Sequence, residues 1–167
     1  MINTTQLLRL IIDPALDALK MNSAAARRLL LFTCASESRM GTYIKQFPVG
    51  PALSIYQLER RTYYDLWDSV LEYKPRLTRK VLNICEYVAE PSANCLMWDL
   101  RLATVMARIQ YWRWPERLPE ADDEEGLIKY YYKYWAPNPK FTSLEDATSR
   151  INSILNLGDK HEYTKTA

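Results

Sequence analysis

The chain has 167 residues, 48% of them hydrophobic and 25% charged, and a formal net charge of +2. That is long enough for one domain with a full core. The charge is too balanced for the basic face of a nucleic-acid binder, since Arg27-Arg28 and Arg60-Arg61 are pairs, not a patch.

No run approaches the ~18–20 apolar residues of a membrane span. Met1 to Met21 is broken by Arg9, Asp13-Pro14 and Asp17, so neither a signal peptide nor membrane insertion is expected. Cys34, Cys85 and Cys95 fit neither a disulfide framework nor a zinc site. They read as free, buried thiols of a protein made in a reducing cytoplasm. The single histidine, His161, lies in a polar tail, which leaves Ser-His chemistry, histidine metal sites and metal cofactors without support. The twelve Tyr and five Trp are numerous for this length. Such side chains fill cores and also line sugar- and partner-binding surfaces.

Taken in order, Asn3 or Thr4 is expected to cap a short helix through Leu7, Leu8, Ile11 and Ile12. Asp13-Pro14 reads as a second start, Asp as cap and Pro in the first turn, running to about Met21-Asn22. Ser23 then caps the next helix, where Ala26, Leu29, Leu30, Thr33, Cys34 and Glu37 fall on one helical face. Glu37 therefore points inward, and Gly41 ends the helix. Residues 42–53 form a loop with Pro48, Gly50 and Pro51, and Ser54 to Glu59 reads as a short strand.

Thr62 is expected to cap a helix with Tyr63, Leu66, Trp67, Val70 and Leu71 inside, interrupted at Pro75. Leu77, Val81, Ile84, Cys85 and Val88 mark another. Pro91-Ser92 opens a longer one, with Trp98, Leu102, Val105, Met106, Ile109 and Trp112 at helical spacing. Trp114 to Pro119 is a rigid connector. The acids Asp122 to Glu125 complement the start of a helix carrying Leu127, Tyr130, Tyr131, Tyr134 and Trp135, which Ala136 to Pro139 ends. Thr142-Ser-Leu-Glu145 reads as a capping box for a last helix burying Leu144, Ala147, Ile151, Ile154 and Leu155, closed by Gly158. The expected organisation is a single, mainly helical domain over 1–158, irregular or β-like around 41–61, with a polar C-terminal tail over 159–167.

A glutamate on the apolar face at a helix end has two readings. It can be a structural partner of an arginine or a backbone group. It can also be a general acid whose proton is retained by burial. Glu37-Ser38, a Gly/Pro loop, then Ser54-Ile55-Tyr56-Gln57-Leu58 resembles the soluble lytic transglycosylase and goose-type lysozyme superfamily. That superfamily pairs Glu-Ser at a helix end with a later small-apolar-apolar-Gln-aliphatic motif. The Gly50 to Leu53, Tyr56 to Glu59 and Ala107-Arg108 stretches also resemble proteins of tailed bacteriophages.

The resemblance implies a lysozyme-like fold and cleavage of the β-1,4 bond between N-acetylmuramic acid and N-acetylglucosamine in peptidoglycan. Glu37 would be the sole acid and base, with the substrate's acetamido group assisting and no second carboxylate required. Ser38 and Gln57 would orient acid and sugar, and Tyr134 would stand for the family's later tyrosine. Ser54 replaces the glycine of the Gln motif, which is expected to hinder close approach of sugar to backbone. Glu59 is extra: either it shares a strand face with Gln57 in the cleft, or it pairs with Arg60 or Arg61 at the surface. The implied partners are the peptidoglycan glycan strand and other virion or tail proteins. The protein would be made in the host cytoplasm and packaged into the particle. The alternative is a catalytically inactive structural component, with the aromatic face from Tyr130 to Trp135 contacting neighbouring subunits.

Overall fold

The computed structural model describes residues 1–136 and 142–155. It is mainly helical with one small antiparallel sheet. The tail over 159–167, Gly158 and the Pro137 to Pro139 helix stop lie outside the described residues.

Asn3 caps α1 (Thr4–Leu7) by accepting from the Gln6 amide. Asp13 does not restart the chain. Helix passes from α1 through a widened π-helical segment (Leu8–Ile12) into α2 (Asp13–Leu19), and Asp13 itself has helical dihedrals. Pro14 has no N–H to donate, so an interior proline disturbs the regular ladder, and the wide turn lies just before it. The Asp13 carboxylate instead faces Asn22 and Arg27, at 3.3 and 3.6 Å. Lys20, in the left-handed conformation, ends α2.

Ser23 caps α3 (Ala24–Ser38), its Oγ accepting from the Ala26 amide at 3.1 Å. The inward stripe of α3 understates its burial: Leu31, Phe32, Ala35 and Ser36 are buried as well. From Leu29 to Ser36 every residue of α3 is buried, as in the middle of a fold, and the helix is packed by α6 (Leu100–Trp112), α7 (Glu124–Tyr134) and α8 (Leu144–Leu155). It stops in three successive left-handed residues, Arg39, Met40 and Gly41. Only the third is a glycine. A Cβ there would meet Ile2 Cδ1 at 2.7 Å. Gly41→Ala is expected to destabilise the protein by about 1–2 kcal/mol, since left-handed backbone penalises a Cβ. Thermal unfolding would show this as a drop of a few degrees.

The expected strand from Ser54 to Glu59 is instead a hairpin. Strands β1 (Ala52–Leu53) and β2 (Leu58–Glu59) pair antiparallel, Leu53 opposite Leu58, and Ser54 to Gln57 form the turn. Ser54 and Gln57 both have positive φ, 73° and 50°. The Ser54 carbonyl accepts from the Gln57 amide at 3.1 Å, and Ser54 Oγ accepts from the Tyr56 amide at 3.1 Å. Side-chain acceptance of this kind lets serine hold a turn position otherwise suited to glycine. Ile55 and Tyr56 at the tip are fully buried, and the Tyr56 hydroxyl lies 3.1 Å from Thr104 Oγ1 on α6.

Helix α4 (Arg60–Leu66) begins two residues before the expected Thr62 cap, directly off β2, and continues through a π-helical segment (Trp67–Leu71). Its expected inner face is buried from Tyr63 to Leu71. Pro75 opens α5 (Pro75–Cys85), where its missing N–H costs nothing. Glu86 ends that helix in a left-handed turn, so Val88 lies beyond it and is fully exposed, not inside.

Ser92 caps a short 3-10 turn (Ala93–Met97), and Asp99 caps a separate α6 (Leu100–Trp112) through the Arg101 and Leu102 amides. This break turns Trp98 outward. Trp112, the last residue of α6, is also exposed, beneath the Lys74 ammonium. Between them Leu102, Val105, Met106 and Ile109 are fully buried.

Asp123 caps α7 (Glu124–Tyr134) at the Gly126 amide. Glu124 pairs with Arg28 and Glu125 with Lys129, which accounts for most of the acidic run by capping and ion pairs. The final cap is shifted by one from the expected box. Ser143 Oγ accepts from the Asp146 amide, and Asp146 accepts from the Ser143 amide, at the start of α8 (Leu144–Leu155). Ala147 and Ile151 are buried there, with Leu144, Ile154 and Leu155 partly so.

Candidate active site

The end of α3 delivers Glu37 to a groove of about 1050 Å³. Ser36 and Glu37 line it from α3, Gln57 and Glu59 from the hairpin, Gln110 from α6 and Arg150 from α8. Trp114, Tyr134 and Trp135 border it without filling it. These aromatics are braced behind: Trp114 stacks on Tyr134 at 5.2 Å, and Trp135 leans on Tyr111 at 5.1 Å. The aromatic face is thus engaged within the fold as well as at the groove edge.

Glu37 is part-buried. The Tyr131 hydroxyl donates to its Oε1 at 2.5 Å and lies 3.0 Å from Ser36 Oγ. Burial pushes the Glu37 carboxyl up to about 7. The Tyr131 hydrogen bond and the Arg150 charge pull the other way, and burial wins. A carboxyl titrating near neutrality can give a proton and take one back, which suits a group that must serve as both acid and base.

The expected site residues separate. Gln57 lines the groove, with its amide fixed by donation to the Ser54 carbonyl at 2.7 Å. Glu59 lines it too, although Gln57 is a turn residue and the two do not share a strand face. Among the described residues Glu59 forms no ion pair with Arg60 or Arg61. Arg60 donates to Asn94 instead. Ser38 is not at the groove. Its Oγ donates to the Cys34 carbonyl at 3.0 Å and accepts from the Gly41 amide at 2.8 Å, so it fastens the helix end that carries Glu37. Ser54 is buried and does not line the groove either, so its side chain does not obstruct that space.

Tyr134 borders the groove, but its hydroxyl donates to Glu116, latching the Trp114 to Pro119 connector to α7. The tyrosine that touches Glu37 is Tyr131, one turn earlier on the same helix. Both tyrosines belong to the set that the sequence assigns to this helix. What was not legible is that the inner tyrosine, and not the one in the Tyr-Trp-Ala stretch, faces the acid. Cys34 and Cys85 are buried free thiols and Cys95 is partly exposed; burial pushes Cys34 and Cys85 up to about 12, away from reactivity.

Tyr131→Phe is expected to raise the Glu37 pKa by about one pH unit. The lost hydrogen bond favours the ionised carboxylate, and bonds to charged groups are worth about 1.5–3 kcal/mol. Carboxyl NMR titration reads this directly; an unchanged midpoint would show that the hydroxyl does not act on Glu37.

Comparison with protein-family models, curated proteins and solved structures finds no match for this chain. Among the described residues no helix is long and apolar enough to cross a membrane.

Proposed function

We propose that this chain is a lysozyme-like, peptidoglycan-cleaving lytic transglycosylase domain carried in a phage virion or tail. The observation that supports it most is Glu37: a part-buried carboxyl pushed up to about 7, at an open groove, with a tyrosine hydroxyl on it and Gln57 nearby.

In this reading a glycan strand lies along the groove with sugar faces against Trp114 and Trp135. Glu37 gives its proton to the glycosidic oxygen as the C1–O bond breaks. The muramyl acetamido oxygen shields the cation forming at C1. The Glu37 carboxylate, held by Tyr131, then takes the proton of the sugar's 6-hydroxyl, and that oxygen closes on C1. The product is an anhydro sugar, no water is consumed, and the enzyme ends as it began. Glu59 has no obligatory part.

Incubation with purified peptidoglycan followed by mass spectrometry tests this. Anhydro-ended muropeptides are expected; hydrolysed reducing ends would make the chain a lysozyme, and no released fragments would remove the enzymatic reading. The second reading, an inactive virion component, draws on Ile44, Phe47 and Val49, which expose apolar side chains beside the groove. Proteomics of purified particles addresses the virion in both readings.

A further inference from the structure

Two guanidinium groups stand in the groove that the acid chemistry does not use. Arg39 follows directly on the end of α3, and Arg150 comes from α8, which packs against α3. Both side chains are exposed, and among the described residues neither forms a salt bridge. The groove's two carboxyl groups are Glu37, on α3, and Glu59, on the hairpin strand. With the Glu37 carboxyl pushed up to about 7 by burial, the groove has a cationic contribution from the end of α3 and from α8, and an exposed anionic one from β2. Most exposed arginines simply face solvent. These two differ in sharing one concave site, close enough that Arg150 acts electrostatically on Glu37.

Resting on the reading of this groove as a glycan site, we infer that Arg39 and Arg150 bind a carboxylate carried by the glycan and select an acidic strand over a neutral one. Guanidinium suits this task, because its planar donors match a carboxylate's two oxygens and it stays charged at all working pH values. The carboxylate has two sources: the lactyl ether of the muramyl sugar itself, or the peptide attached to it. A neutral N-acetylglucosamine oligomer offers the same sugar faces to the aromatic border but nothing to the arginines.

Binding to the full-length Glu37→Gln variant, followed by tryptophan fluorescence, separates these cases without turnover. Three ligands of equal sugar length are compared: neutral chito-oligosaccharide, peptide-free muramyl glycan and peptide-bearing glycan. At least one acidic strand is expected to bind about tenfold tighter than the neutral one, a margin that shrinks with added salt. A gain only with the peptide-free strand assigns the lactyl carboxylate, which is an amide once peptide is attached; a gain only with peptide assigns the peptide's carboxylates, and an equal gain with both means that either carboxylate fills the site. Arg39→Gln with Arg150→Gln is expected to erase the preference and leave neutral-strand binding in place, and the Lys versions are expected to restore part of it. Equal affinity for neutral and acidic strands, a preference surviving the double Gln variant, or no binding to any strand overturns the inference. Selective binding by a protein whose wild type releases no fragments would remove wall cleavage and leave the carboxylate site standing.

Discussion

Glu37→Gln is expected to lower release of peptidoglycan fragments by about 10²–10⁴-fold, the usual contribution of a positioned acid–base group. The amide keeps the shape of the carboxyl and can still accept from Tyr131, so folding is not the cause of the loss. The same variant carries a second expectation, on stability, which holds whatever the substrate. The folded-state pKa of Glu37 is raised from 4.5 to about 7. Between those values the native state holds a proton that the unfolded chain has released, so wild-type stability falls as pH rises through the window. The fall is roughly 3 kcal/mol, at about 1.4 kcal/mol for each pH unit that the window spans. Glu37→Gln lacks that proton and is expected to show no such decline. Parallel melts at pH 4 and pH 8 check it: the gap between wild type and variant should move toward the variant at the higher pH. A gap that stays constant would mean that the carboxyl is not held in its neutral form by the fold.

Tyr56→Ala is expected to cost about 3–5 kcal/mol, the range for removing a large buried aromatic. Tyr56 is fully buried, and its hydroxyl meets Thr104, so the change leaves a cavity and strips Thr104 Oγ1 of that partner. Denaturant unfolding measures this, with Tyr56→Phe as the milder control that removes the hydroxyl and keeps the ring. The effect on the groove should exceed that of an ordinary core mutation, because the lost ring is what pins the hairpin carrying Gln57 and Glu59 to α6. A Tyr56→Ala loss below about 1 kcal/mol would show that the hairpin is held from elsewhere.

The helices were readable where caps and periodicity agreed. Ser23 before an apolar run, Pro75 in a first turn and the acids before Leu127 each state a local physical preference, and the fold follows them. The misreadings share a cause. Ser54-Ile-Tyr-Gln57 has the apolar content of a strand and none of the Asn-Gly chemistry of a hairpin turn, yet tertiary burial of Ile55 and Tyr56 forces a turn with Ser54 and Gln57 at positive φ. Trp98 sits at helical spacing, but Asp99 caps a new helix just behind it and turns the indole outward. At the site, the inward placement of Glu37 was legible from spacing alone. Its partner was not, because choosing between Tyr131 and Tyr134 depends on how α7 is rotated against α3, and no local pattern encodes that.

The hairpin is also seated in an unusual direction. Most hairpins present their turn to solvent and root their strands in the fold. Here the turn is sunk into the core, while Val49 and Phe47, on the approach to β1, are the exposed part. That side of the groove behaves as a peg driven in tip first: its inner end is clamped against α6, and its slack lies at the outer end. Residues 44–46 are tied back to the hairpin, the Ile44 carbonyl accepting from the Ser54 amide and the Gln46 amide donating to the Ala52 carbonyl, so widening of the groove to admit a bulky polymer would come from the 47–51 loop swinging outward. Gln57, at the clamped end, would keep its place relative to Glu37 throughout that movement.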